Sequence, residues 1–154
     1  MGYYITLEES DAMIRKEDLD KAYKAMCELN KHDDLKTGGS YSNGQQTARW
    51  FAWMPENYPE VYSTAQEVLE GLGFELDVDQ DTGNVYIARY DSKTGAQDLF
   101  LGAIAPYIKN ESNGMARMIW RGEDGSYWRL SFEDDKMFIE DGKIEFIRRT
   151  EYAG

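Results

Sequence analysis

Apolar and polar residues alternate most regularly in the last third of the chain, from Met115 to Arg149. Met115–Trp120 leads into Gly122-Glu123-Asp124-Gly125, and Ser126–Phe132 follows with Trp128, Leu130 and Phe132 on one side of the pleat. Asp134-Asp135-Lys136 and Asp141-Gly142 then separate Met137–Ile139 from Ile144–Ile147. Period-two alternation between Asp/Gly turns is the pattern of an antiparallel meander, so a run of short strands is expected here.

Upstream, Tyr3, Ile5 and Leu7 alternate as a first strand, which Ala12-Met13-Ile14 continues after the irregular Glu8–Asp11. Leu19, Ala22, Tyr23, Met26 and Leu29 lie on one stripe of a helix over Lys16–Lys31. Glu17, Asp18 and Asp20 suit its positive end, and Lys31 its negative end. Residues 33–47, with Gly38-Gly39-Ser40 and Ser42-Asn43-Gly44, show no periodicity and read as a long loop, mobile or functional. The aromatic stretch Ala48–Met54 closes on Pro55, and a helix over Pro59–Leu72 buries Val61, Ala65, Val68, Leu69 and Leu72 before a Gly73 cap. Phe74–Val78 and Val85–Tyr90 form a hairpin across Asp81-Thr82-Gly83; a third helix over Ala96–Ala105 stops at Pro106. A polar loop, Lys109–Gly114, leads into the meander, and no repeat or low-complexity linker interrupts the chain. Residues 1–154 therefore read as one α+β domain: a single antiparallel sheet ending in the meander, with about three helices packed mainly on one face.

Charge narrows the partner class. The chain has 17 Lys+Arg against 29 Asp+Glu, a net charge of −12. Nucleic acid and anionic membranes need basic surface, so neither is an expected direct partner; a basic protein surface is. The single Cys27 excludes an internal disulfide, and no leader or membrane-length apolar run is seen, which points to the cytoplasm. Met1-Gly2-Tyr3-Tyr4-Ile5-Thr6 fits an acylation pattern formally, but it reads better as strand and lacks a polybasic second signal.

Candidate chemistry is sparse. Asp77-Val78-Asp79-Gln80-Asp81-Thr82-Gly83 offers alternate carboxylates, yet Thr82 stands where a calcium loop needs glycine and Ala88 where it needs glutamate. His32 and Cys27 sit five apart near one helix end, on different faces, and suit neither a nucleophilic pair nor zinc. Gly38-Gly39-Ser40 lacks the lysine spacing and the following helix of a phosphate loop. No catalytic residue, metal ligand or cofactor is assigned. Two aromatic and arginine stretches remain, Arg49-Trp50-Phe51-Ala52-Trp53 and Trp120–Arg129, because Trp and Arg are frequent binding anchors. The competing reading makes Trp120 and Trp128 core, and pairs Arg121 and Arg129 with nearby Glu123 and Asp124.

Met1-Gly2-Tyr3-Tyr4, Gly122-Glu123-Asp124-Gly125-Ser126-Tyr127-Trp128-Arg129, Phe132 and Asp135-Lys136 together resemble small acidic uncharacterised proteins. These occur in bacteriophages and in bacterial, often actinobacterial, genomes. Arg49–Met54 and Tyr90–Gly95 extend the resemblance over most of the chain. It implies a phage or mobile-element accessory protein acting in the cytoplasm of a bacterial host, and brings no catalytic residues with it. The expectation is a non-enzymatic acidic interaction protein that inhibits a host defence or nucleic-acid-binding protein. Its contact residues are taken as Glu123, Asp124, Glu133, Asp134 and Asp135. The alternative is a small-molecule binder in which Arg49, Trp50 and Trp53 clamp a nucleotide-like anion.

Overall fold

The structure is a computed structural model and describes residues 2–153. Its strands are β1 (Tyr4–Ser10), β2 (Met13–Ile14), β3 (Gly38–Ser42), β4 (Gln45–Trp50), β5 (Glu75–Val78) and β6 (Val85–Arg89). They continue with β7 (Asp91–Lys93), β8 (Ile108–Lys109), β9 (Ala116–Gly122), β10 (Tyr127–Glu133) and β11 (Lys136–Gly142). The α-helices are α1 (Leu19–Glu28), α2 (Tyr58–Val61), α3 (Ala65–Leu72) and α4 (Gln97–Ala103), with short 3-10 turns beside them. The fold is α+β with antiparallel sheets.

The expected single sheet is instead three: β11-β10-β9-β1-β7, β5-β6-β2-β8, and the separate pair β3-β4. The physical cause is a corner in the first strand. The register of β1 against β9 shifts between Leu7 and Glu9, a bulge that bends and twists the strand. Beyond it, the Ser10 hydroxyl donates to the Ile87 carbonyl at 2.7 Å and accepts from Ala12 N at 3.2 Å, so a side chain replaces the ladder. β1 and β7 thus stay in the first sheet, while their continuations β2 and β6 enter the second.

Three further expectations change. The segment 33–47 is not an open loop: Asn43 and Gly44 take φ of 53° and 78°, and the two-residue turn closes the β3–β4 hairpin. The helix expected over Pro59–Leu72 is two, because Tyr62 is extended and Thr64 restarts the helix as an N-cap, its side chain accepting from Glu67 N at 3.1 Å. Glu67 Oε1 in turn accepts from Ser63 N at 3.2 Å and from the Thr64 hydroxyl at 3.3 Å, so the Thr-x-x-Glu pair ties down the residue before the cap as well as the cap itself. Ile144–Ile147 is not a strand, since Asp141 and Gly142 lie inside β11, opposite Trp128 and Tyr127, rather than in a turn.

Even-numbered residues of β9 and β10, including Met118, Trp120, Leu130 and Phe132, are buried in the core with α1, α3 and α4. Trp120 is fully buried; it meets Tyr90 edge-on at 5.4 Å and lies parallel to half-buried Trp128 at 6.3 Å. A second aromatic group joins Phe51, Tyr58 and Phe100, with Phe51 and Phe100 at 5.2 Å. Such pairs add about 0.5–1.5 kcal/mol each beyond the area they bury. The opposite face of the first sheet, which bears Arg117, Ile119, Arg121, Tyr127 and Arg129, is not buried. Trp120→Ala is expected to cost about 3–5 kcal/mol in urea unfolding, and Thr64→Ala about 1 kcal/mol, the difference between an emptied core site and a lost cap.

Candidate functional site

The five acids taken as contact residues lie at two separate turns. Glu123 and Asp124 lie in the β9–β10 turn and Glu133, Asp134 and Asp135 at the β10–β11 turn, so the length of β10, about 20 Å at the usual rise per residue, separates them. The first two hold the N-terminal strand. Tyr4 N donates to Glu123 Oε1 at 3.0 Å, Glu123 N donates to the Tyr4 carbonyl at 2.9 Å, and the Tyr3 hydroxyl donates to the Asp124 carboxylate. Asp134 and Asp135, at φ of 53° and 63°, are the two residues of a tight turn. The arginines expected to pair with Glu123 and Asp124 look elsewhere: Arg121 binds Glu8, and Arg129 binds both carboxylate oxygens of Glu140, at 2.9 and 3.1 Å.

A larger acidic surface lies on the other sheet. Between Arg49 and Arg89 the chain contains no lysine or arginine but eight carboxylates. Glu56 precedes α2 and Glu60 lies on it, Glu67 and Glu70 lie on α3, Glu75 and Asp77 on the edge strand β5, and Asp79 and Asp81 in the turn after it. All are exposed except Asp79, which is half-exposed and accepts from Asp81 N and Thr82 N to shape the turn. Arg89 on β6 bridges Glu75 and Asp77, at 3.4 and 2.8 Å, and holds the Asp77 carboxyl below its ordinary range. The cation-free interval was legible in the sequence as a gap; what hid it was the spread of its acids over a helix pair and a strand.

Arg49, Trp50 and Trp53 do not converge. Arg49 lines a polar cleft of about 490 Å³ with Asn30, Asp33, Lys36, Gln46, Asn57 and Glu56, so two carboxylates share it with the two cations. The Trp50 indole covers Gly38 across the hairpin, and Trp53, 58% exposed, lies over Gly95. Sequence reading missed the cleft's other cation. The Lys36 side chain is only 4% exposed, its ammonium donating to the Asn30 carbonyl at 2.8 Å and to Asp33 at 2.7 Å beside the Phe51 ring. That contact, first of all, lowers the Asp33 carboxyl. Asn30 Oδ1 is buried and receives no donor. Cys27 is half-buried, which pushes its thiol up and away from nucleophilic use, and His32 is exposed. Among the described residues, no three Asp, Glu, His or Cys side chains are grouped to hold a metal. None of the described helices is long and apolar enough to cross a membrane.

Comparison with protein-family models, with curated proteins and with solved structures finds no match to this chain.

The Tyr3 hydroxyl, before any other cause, depresses the Asp124 carboxyl. A folded carboxyl that titrates below its unfolded value stabilises the fold above the unfolded range, and the effect is lost as pH falls through the depressed folded value. Carbon-detected NMR titration is expected to place Asp124 below the ordinary aspartate range, and Tyr3→Phe to move it upward. An Asp124 midpoint unmoved by Tyr3→Phe contradicts this coupling.

Proposed function

We propose that this chain works by contact, as an acidic interaction protein that docks a basic protein surface through α2, α3 and β5. The observation that carries the reading is the interval between Arg49 and Arg89, where eight carboxylates stand on adjoining exposed elements and only Arg89 itself answers any of them. Carboxylates in such a strip steer a cationic partner from a distance and penalise an anionic one. The resemblance to phage and mobile-element proteins makes the target a host defence or nucleic-acid-handling protein whose basic channel the acids fill. Glu123 and Asp124 serve the fold in this reading, and Glu133 lies outside the docking surface.

A second reading has its own observation. The cleft that joins buried Lys36 to Arg49 and the orphaned Asn30 Oδ1 fits a small anion that also carries a hydrogen-bond donor. It contains no aromatic ring, so stacking of a base on Trp50 or Trp53 forms no part of it.

Affinity capture from bacterial lysate tests the first reading. A partner retained at low salt and released at high salt is expected, with binding weakened about tenfold by Glu60→Lys with Glu70→Lys and unchanged by Glu133→Lys. A partner indifferent to salt, or one kept by the doubly reversed chain, overturns it. For the cleft, thermal shift against phosphate and small carboxylates is expected to raise Tm in the native chain and not in Arg49→Ala; no rise with any of them removes the reading.

A further inference from the structure

β11 ends the five-stranded sheet, and among the described residues no strand pairs with its outer edge. Its seven residues run in unbroken register with β10, from Lys136 opposite Glu133 to Gly142 opposite Tyr127, so no bulge turns the edge away. Free edges are normally blunted by shortness, charge or bulges. The other ends of the two larger sheets follow that rule: β7 has three residues, β8 has two, and β5 carries Glu75 and Asp77. β11 carries charge at Lys136, Glu140 and Asp141, but Glu140 is held by Arg129 and Ser131, and Met137–Ile139 is an uncharged apolar run in which Ile139 is 60% exposed. The chain then continues without helix or strand through residues 143–153, leaving Phe146 and Ile147 more than nine-tenths exposed, at 93% and 92%.

We infer that Lys136–Arg148 is the segment by which two copies of this chain join edge to edge, antiparallel about Gly142. A two-fold axis normal to the sheet keeps side chains on their own faces, so residues equally far before and after Gly142 stand opposite one another. In that register Asp141 faces Lys143 of the second copy, Phe138 faces Phe146 of the second copy, and Met137 faces Ile147 of the second copy, each pair occurring twice. Opposite charges and aromatic pairs are the favourable cross-strand neighbours. Glu140 and Glu145 fall opposite Ile144 and Ile139, and Lys136 opposite Arg148 at the solvent end. Gly142 meets its own copy at the axis, where any side chain would meet its like. The segment suits a second copy for a further reason of charge: residues 136–148 carry three cations against three anions in a chain of net charge −12, so the stretch itself is not repelled. The two five-stranded sheets become one continuous sheet, and residues 143–148 gain the hydrogen-bonded partner they lack in the single chain.

This association has the opposite salt response to docking through the acidic strip. Two bodies of like charge repel, so screening tightens the pairing of copies, whereas it loosens the grip on a basic partner. The full chain in sedimentation equilibrium, between about 0.05 and about 0.5 M NaCl, is expected to be a dimer whose dissociation constant falls several-fold as salt rises. Gly142→Asp sets two carboxylates face to face across the axis and is expected to weaken the dimer about tenfold or more. A Cβ there meets Tyr127 at an ordinary 3.5 Å, so the single chain keeps its circular dichroism. Asp141→Lys sets Lys143 against a lysine and weakens the dimer similarly; adding Lys143→Asp restores it. A monomer at every salt up to about 100 μM, a dimer untouched by Gly142→Asp, or a charge swap that fails to restore it each overturns the inference.

Discussion

The fold turns on a corner that its first strand makes between Leu7 and Ala12. There the bulge opposite β9 and the Ser10 hydroxyl on the Ile87 carbonyl split one long strand pair into two. β1 and β7 serve one sheet and their continuations, β2 and β6, serve the other. The two sheets are therefore tied covalently where the β1–β7 end of the first meets the central pair β2 and β6 of the second. Leu7 N still donates to the Tyr90 carbonyl and Ile87 N to the Ala12 carbonyl, so backbone bonds bracket the bend on both sides. A buried polar group with no partner costs more than a hydrogen bond gains, and the Ser10 hydroxyl supplies partners to the Ile87 carbonyl and to Ala12 N where the ladder is broken.

Packing follows from that geometry. With the strands bent, the inner sides of both sheets and the helices enclose a common core, and the large rings fill it: Trp120 with Tyr90 and Phe74, and Phe51 with Tyr58 and Phe100. Burial raises the Tyr90 hydroxyl to about 12 and pushes Tyr58 higher still, which leaves both as neutral donors to the Lys93 and Met26 carbonyls. The helices reach one face of the five-stranded sheet only. The other face carries a ladder of exposed pairs, Glu8 with Arg121 and Arg129 with Glu140, whose individual worth is small in water.

Charge divides the molecule in a way its total conceals. The cation-free interval from Glu56 to Asp81 places its acids on α2, α3 and β5, while the arginines of the last third lie on β9, β10 and the segment after β11. One surface concentrates carboxylates, and the other mixes both signs of charge and holds the strand edge β11. The docking and the edge pairing proposed above draw on these separate surfaces, so their expected responses to ionic strength have opposite signs.

Much of the fold was legible in residues alone. The stripe Leu19, Ala22, Met26 foretold α1, the alternation in Phe74–Val78 and Val85–Tyr90 foretold the β5–β6 hairpin, and Trp128-x-Leu130-x-Phe132 foretold the core side of β10. Two local signals were present and passed over: Asn43-Gly44 as a hairpin turn, and Thr64 with Glu67 as a helix start. Both act over four residues or fewer, so sequence carries them in full. What sequence did not carry was anything set by distant partners. Ile144–Ile147 has the alternation of a strand, yet periodicity records which residues would share a face and not whether another strand lies alongside. Glu123 and Asp124 look like free surface acids until Tyr3 and Tyr4, over a hundred residues away, are brought to them. The amino-acid order determined local elements, the turn chemistry and the charge, because those depend on neighbours a few bonds away. Only the tertiary structure decided which acids are spent on the fold, which cations meet in a cleft and which strand is left unpaired, because each of those is a property of surfaces brought together from remote parts of the chain.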